Sequence, residues 1–292
     1  MKYSASSSKC STERNHPMQF IMFTKHLQEY DLKKLVTALK SIGLDGADLC
    51  VRPGYPVTPE NCDRMLKEAV NAFAAEGMSI PLVTTPGNFR DPAGAMSEKL
   101  FAACAAAGVK LIKLGYWVLE PSGSYDELFS ECRRRLEGFA KLAAKYAVKA
   151  VSHTHSGSYM GLNASHALLL LNGLDPASIG VFLDAGHLSL CGEPMYMAIG
   201  IVKKYLSCFA FKDIARLDTK TDSVEANVTE TRKLGWGGVN WNTVVKSVIA
   251  AEVQELPISL HSEYNMPADS VVDMTRIDLR YIKELFAKEG VK

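Results

Sequence analysis

The sequence predicts an α/β protein built as a single (β/α)8 barrel, and three observations predict it. Eight short apolar strand-like runs alternate with eight helix-like runs, at a spacing on the order of 30 residues, the size of one βα unit. Ionisable residues gather where the strand-like runs end, and the carboxyl ends of successive parallel strands are where such barrels do chemistry. No GxGxxG or GxxxxGK[ST] turn follows an early strand, so the main signature of an open doubly wound sheet is missing. Eight units favour closure, and the expected architecture is a TIM barrel.

Taken in order, residues 18–24 read as the first strand, ending Thr24-Lys25-His26. Asp31 caps the helix that follows and Gly43 stops it. The second strand, 47–51, delivers Arg52, and Thr58-Pro59 opens a helix running to Gly77. Strand three is 80–84 and its helix 96–107. Strand four is 111–116, with Lys113 and Gly115 on the face opposite Ile112 and Leu114. A long helix over 126–146 carries apolar positions three and four apart.

The fifth strand contains His153 and His155, which share a face with Val151 because strand side chains alternate. Helix five begins near Asn163. Strand six, 180–184, ends in Asp184, with His187 just beyond in a Gly turn. Helix six spans 194–206, strand seven 208–213, helix seven 242–252, strand eight 258–264 and helix eight 269–288. Residues 214–235 read as a long polar loop able to cover a site.

Composition bounds the remaining possibilities. A barrel of 292 residues with 47% hydrophobic content has ample core, and α/β barrels of this length form one domain. A formal net charge of +1 gives no electrostatic reason to expect nucleic acid or an anionic membrane. No apolar run approaches the roughly 18 residues of a membrane span. Seven scattered cysteines (10, 50, 62, 104, 132, 191, 208), without CxxC, read as free thiols of a cytoplasmic protein. Residues 1–16 are polar and Ser-rich, without the apolar centre of a secretory signal. They read as a flexible amino-terminal extension to a barrel over 17–292.

The candidate site follows from the strand ends. Lys25, Arg52, Lys113, His153, His155, Asp184, Lys212, His261 and Glu263 fall there, with His187 and Arg216 in the loops above and Trp117 just after strand four. Each has a structural alternative: a strand-end histidine is usually a hydrogen-bonded loop residue, and Lys113 can pair with a barrel carboxylate. Joint placement argues for function, because His153, His155, His187 and His261, four of the seven histidines, end strands five, six and eight. Closure brings Asp184, Glu263 and His153 together as a donor set for one divalent ion of the Mn, Mg, Co or Zn type.

Five segments resemble the xylose isomerase-like TIM barrels, a family of sugar-phosphate isomerases and epimerases, ketose 3-epimerases and inosose dehydratases. They are His-Thr-His-Ser-Gly at 153–157, Asp184-x-x-His187, Phe211-Lys212-Asp213, residues 234–241 (LGWGGVNW) and residues 259–264 (SLHSEY). The resemblance implies one divalent ion, a small carbohydrate substrate and a homo-oligomer whose partner closes the site. It places Asp184 and Glu263 on retained ligand positions, and His187 and Arg216 on positions that bind substrate oxygens. The usual strand-five Glu falls on His153 and the usual strand-seven His on Ala210.

Two functions of different class follow. One is a metal-dependent isomerase, epimerase or related lyase acting on a small sugar, sugar phosphate or cyclitol. In it Glu263 removes the proton beside the carbonyl, and His153 or His155 relays it. Lys212 stabilises the developing oxyanion, and Lys113, Trp117, His187, Arg216 and His261 bind substrate. The other, prompted by His153 and Ala210, is a metal-free or catalytically degenerate sugar-binding barrel. A nuclease is disfavoured, because a neutral chain lacks the basic groove that phosphate backbones require.

Overall fold

Eight parallel strands close into a ring in the computed structural model, which describes residues 18–217 and 228–291. They are β1 (Phe20–Phe23), β2 (Gly46–Cys50), β3 (Ser79–Thr84), β4 (Leu111–Lys113), β5 (Lys149–His153), β6 (Ile179–Asp184), β7 (Leu206–Phe211) and β10 (Ile258–Leu260). Each pairs with its sequence neighbour, and β10 pairs back to β1 with Phe20 opposite Ile258. A separate antiparallel hairpin is formed by β8 (Asp213–Arg216) and β9 (Thr229–Arg232). The helices are α1 (Leu32–Ile42), α2 (Cys62–Ala75), α3 (Ala95–Ala107), α4 (Tyr125–Tyr146), α5 (Ala164–Leu171), α6 (Ala185–Leu190), α7 (Met195–Val202), α8 (Trp241–Ala250) and α9 (Ala268–Lys288). The amino-terminal extension and residues 218–227 of the expected cover lie outside the described residues.

Local chemistry sets the helix ends. Asp31 accepts the Lys34 N–H at 2.7 Å to start α1, and Gly43, at φ 88°, ends it in the left-handed conformation that only glycine adopts freely. Asn163 and Asn240 cap α5 and α8 in the same way. Helix α2 begins at Cys62, later than Thr58 suggests, because Thr58 donates its N–H to the Asn61 side chain and holds the approach as a turn.

The core has two parts. A large outer cluster fills the space between the ring and the helices, and a small inner cluster of Ile21, Leu82, Val151, Phe182, Cys208 and Ala210 fills the barrel. These inward residues alternate with outward ones, so the next inward positions along β5, β6 and β7 are His153, Asp184 and Lys212. The six cysteines among the described residues are all unpaired, and no helix there is long and apolar enough to cross a membrane.

Several elements differ from their sequence expectation. Strand β4 stops at Lys113 instead of 116, because Gly115 and Tyr116 donate their N–H groups to Phe89 and Gly87 in the preceding loop. A Cβ on Gly115 would lie 2.6 Å from the Gly87 carbonyl oxygen, so this crossing needs glycine. Strand β5 ends at His153, leaving His155 in a loop. Asp184 ends β6 as expected, but the turn beyond it is the short helix α6, which contains His187 and is capped by the Asp184 carboxylate accepting the His187 N–H at 2.9 Å. Leu206, expected at the end of helix six, instead begins β7. Part of the expected polar loop is the β8–β9 hairpin. Strand β10 ends at Leu260, where the Glu263 N–H turns back onto the His261 carbonyl.

Candidate active site

The strand ends converge on a cavity of about 230 Å³ at the carboxyl mouth of the barrel. Lys25, Arg52, Lys113, His153, His155, Lys212, His261 and Glu263 line it, as do Phe23, Thr84, Tyr116, Tyr159 and Phe182. Eight sequence candidates therefore share one cavity. Asp184 is fully buried beneath it.

Asp184 is the centre of the polar network. One carboxylate oxygen caps α6, while the other lies 3.3 Å from His153 Nε2, 3.6 Å from Lys212 Nζ and 3.9 Å from His261 Nδ1. That second oxygen and His153 Nε2 are buried without an aligned hydrogen-bond partner, as is His261 Nε2. Burial alone would raise the Asp184 pKa, but Lys212 and the neighbouring imidazoles override it and hold the group well below the carboxylate range. Burial pushes His153 down to about 3 despite Asp184, and His155 down to about 4 with help from Lys212. Both imidazoles are therefore neutral at pH 7.

Glu263 stands apart from this trio. Its two oxygens accept from Lys25 at 2.6 Å and Lys212 at 2.8 Å. Lys212 thus bridges the two carboxylates that the sequence paired as metal ligands. Burial raises the Glu263 pKa, but Lys212, His261 and Lys25 outweigh it and keep the group ionised. Asp184 and Glu263 in turn outweigh burial at Lys212, whose ammonium is held charged. Among the described residues, the grouping that brings donor atoms together is His153, Asp184 and His261, one ligand atom of each lying within 4.8 Å of the others.

Two imidazoles and a carboxylate suit a divalent transition ion, and their unpartnered buried atoms fit such an ion better than they fit each other. Lys212 competes for the same Asp184 oxygen. Ala210, opposite Asp184 in the ladder, offers no donor.

The remaining candidates lie elsewhere. His187 and Arg216 line a neighbouring cavity of about 550 Å³, which shares His155 with the central one. His187 accepts or donates at Ser156 Oγ (2.8 Å), and Arg216 donates to the Leu190 carbonyl. Trp117 is 3% exposed within the outer core and is absent from both cavity walls.

Three contributors escaped the sequence reading. Asp48 is fully buried inside the ring, accepts from Thr84 (2.5 Å) and Ser259 (3.1 Å), and lies 3.6 Å from His261 Nε2. The parity of strand two offered a signal, since Asp48 sits between the inward Gly46 and Cys50. Tyr116 hydrogen-bonds His153 Nδ1 at 3.0 Å, and Tyr159 packs on His155 with ring centroids 4.0 Å apart. Strand alternation pointed Tyr116 outward, and only the early end of β4 turns it in.

Charge is unevenly spread around the mouth. Lys25, Arg52 and Lys113 follow or end β1, β2 and β4. Next around the ring from β4, β5 and β6 supply His153, His155 and Asp184, β7 leads to Lys212, and β10, between β7 and β1, leads to His261 and Glu263.

Comparison with solved structures finds this architecture repeatedly. A probable 3-DHS dehydratase, AsbF, from Bacillus anthracis aligns with TM-score 0.71 at 14% identity, covering 91% of this chain and 99% of that one. The D-psicose 3-epimerase of Clostridium cellulolyticum H10 in complex with D-tagatose gives TM-score 0.71 at 12% identity, covering 92% and 99%. An IolI protein with a bound zinc atom gives 0.69 at 14% identity, covering 93% and 99%. At these identities the likeness shows the fold. No curated protein matches by sequence. The profile of the xylose isomerase-like TIM barrels matches residues 36–291, and with the closed barrel it shows that the chain belongs to that family.

Proposed function

We propose that this barrel moves a proton beside the carbonyl of a small sugar, sugar phosphate or cyclitol, as an isomerase, epimerase or related lyase. The observation that carries the reading is an ionised Glu263 and neutral imidazoles facing one small cavity at the barrel mouth. Epimerases and a dehydratase among the structural neighbours support the carbohydrate class.

Glu263 is the base. Two ammonium partners lower its basicity in the free protein, and the Lys25 side chain is 42% exposed and free to swing. A substrate oxygen or phosphate that draws Lys25 away restores basicity to Glu263 once it is bound. Lys212 remains beside the carboxylate and stabilises negative charge developing on the former carbonyl oxygen. His155, a neutral imidazole with its pKa lowered to about 4, carries the returning proton: it accepts one as Glu263 gives up its own to solvent, and passes it to carbon.

A divalent ion, Mn, Mg, Co or Zn, would be held by His153, Asp184 and His261 and would polarise the substrate carbonyl. His153 then serves as ligand and not as relay. The Lys212 bridge and Ala210 favour the second reading, a metal-free barrel that binds a sugar without turning it over.

Both readings meet one experiment. Ketopentoses, ketohexoses and their phosphates are incubated in deuterium oxide with protein dialysed against a chelator or against each ion, and followed by proton NMR. Wash-in of solvent deuterium beside the carbonyl, reduced about 100-fold or more in Glu263→Gln, supports proton transfer. Saturable binding with no wash-in under any condition supports the binder and overturns the enzyme.

A further inference from the structure

Lys113 stands out among the cavity's cations. Lys25 and Lys212 are each paired with carboxylates, whereas Lys113 is 2% exposed and its ammonium nitrogen has no hydrogen-bond or ion-pair partner among the described residues. It lies 3.5 Å from the centroid of the Tyr116 ring, at the end of β4, on the cavity wall that Arg52 also lines. A buried amine kept beside another cation, without a counter-ion, is a costly arrangement for a purely structural lysine. It is the arrangement that makes a lysine nucleophilic.

We propose that Lys113 is a covalent catalyst, forming an iminium with an aldehyde or ketone bound in this cavity. The inference rests on the reading that the cavity takes a carbonyl compound, and it names how this chain activates it. The Lys113 nitrogen adds its lone pair to the carbonyl carbon, the π pair moves to oxygen, and an amine proton follows it there. A further proton, drawn from solvent at the barrel mouth, goes to that hydroxyl, the C–O bond breaks, water leaves and the nitrogen lone pair closes the C=N bond, giving the iminium. Positive nitrogen now acidifies the neighbouring C–H, whose proton Glu263 takes on the same cavity wall. Reprotonation and addition of water reverse the sequence and free the amine, with no oxidant or reductant needed. Burial first, and Arg52 second, push the Lys113 pKa down from the usual lysine range, which favours the free lone pair over the ammonium relative to an exposed lysine. Four rotatable bonds let the nitrogen leave the Tyr116 face for the cavity.

The test is reductive trapping on the full chain. Dihydroxyacetone and sodium cyanoborohydride are added at pH 7, and peptides are mapped by mass at early times. One reduced adduct on the Lys113 peptide, forming at least ten times faster than on any other lysine, is expected. Lys113→Met and Lys113→Arg should both lose it, Arg keeping the charge but not the nucleophile. Adducts scattered over surface lysines with no enrichment at Lys113 would overturn the proposal. So would deuterium wash-in at wild-type rate in either variant, which leaves the proton-transfer reading standing. Trapping at Lys113 without wash-in from any ketose separates the other way: the nucleophile is upheld and the isomerase reading falls.

Discussion

At the scale of single residues, Asp184 does two jobs that one substitution separates. Asn in its place keeps an oxygen to cap α6 but removes the charge that faces Lys212, His153 and His261. Asp184→Asn is therefore expected to fold, at a cost of about 1–3 kcal/mol in urea unfolding. Bound metal after dialysis against zinc, read by elemental analysis, should fall by roughly tenfold or more. The buried histidines set the acid limb of stability. Unfolded histidine binds a proton near its ordinary value of about 6.5, while His153 and His155 resist until about 3 and about 4. Between those limits the unfolded chain holds more protons, so stability falls as pH falls from 6.5, by up to about 1.4 kcal/mol per pH unit for each imidazole. Asp278 acts in the opposite sense: burial raises it to about 6, so it keeps its proton in the fold and loses stability as pH rises through that value. Two imidazoles outweigh one carboxyl, and urea midpoints of the chelator-treated protein should decline steadily from pH 6.5 to 4. A flat profile would mean that the imidazoles are solvated.

At the scale of elements, the junction of β6, α6 and β7 sets the position of Lys212. A Cβ on Gly186 would meet the Lys212 carbonyl at 2.8 Å and its Cγ at 2.9 Å. Gly186→Ala should cost roughly 1–3 kcal/mol by overpacking and weaken deuterium wash-in more than the same loss of stability elsewhere. Gly180→Ala, on β6 far from the mouth, where a Cβ would meet the Tyr205 carbonyl at 2.6 Å, is the control, with wash-in compared per unit of stability lost. The strands that matter were legible because apolar runs on both faces mark buried parallel strands. The six-residue α6 was not, since one turn and a half leaves no periodicity to read. Nor was the end of β4, which is decided by hydrogen bonds to residues 87–89 of another loop. The same tertiary override moved His155 off its strand while leaving it on the cavity wall.

At the scale of the whole molecule, ring closure was readable from alternation and count, and it alone explains why eight of the sequence candidates meet. It could not foretell partner choice. His261 and Glu263 are both on the cavity wall, yet His261 joins Asp184 while Glu263 is taken by two lysines. Trp117, placed at the mouth by its position after strand four, is drawn into the outer core by its apolar surface. The cationic side of the mouth leads to a further expectation. A ketose phosphate should bind more tightly than its unphosphorylated sugar by about tenfold, measured by calorimetry, and the gap should shrink with added salt and in Arg52→Met. Arg52 and Lys113, at the ends of β2 and β4, have no carboxylate partner among the described residues, whereas Lys25 and Lys212 are paired with Glu263, and this contrast gives the cavity a sense of direction. An acidic ligand tail drawn to Arg52 and Lys113 would leave a carbonyl head at Glu263 in one orientation, so a single diastereotopic hydrogen is expected to reach the proposed base. Stereochemical fidelity in this barrel would then be a property of how charge is shared among strands, settled before any bond is touched.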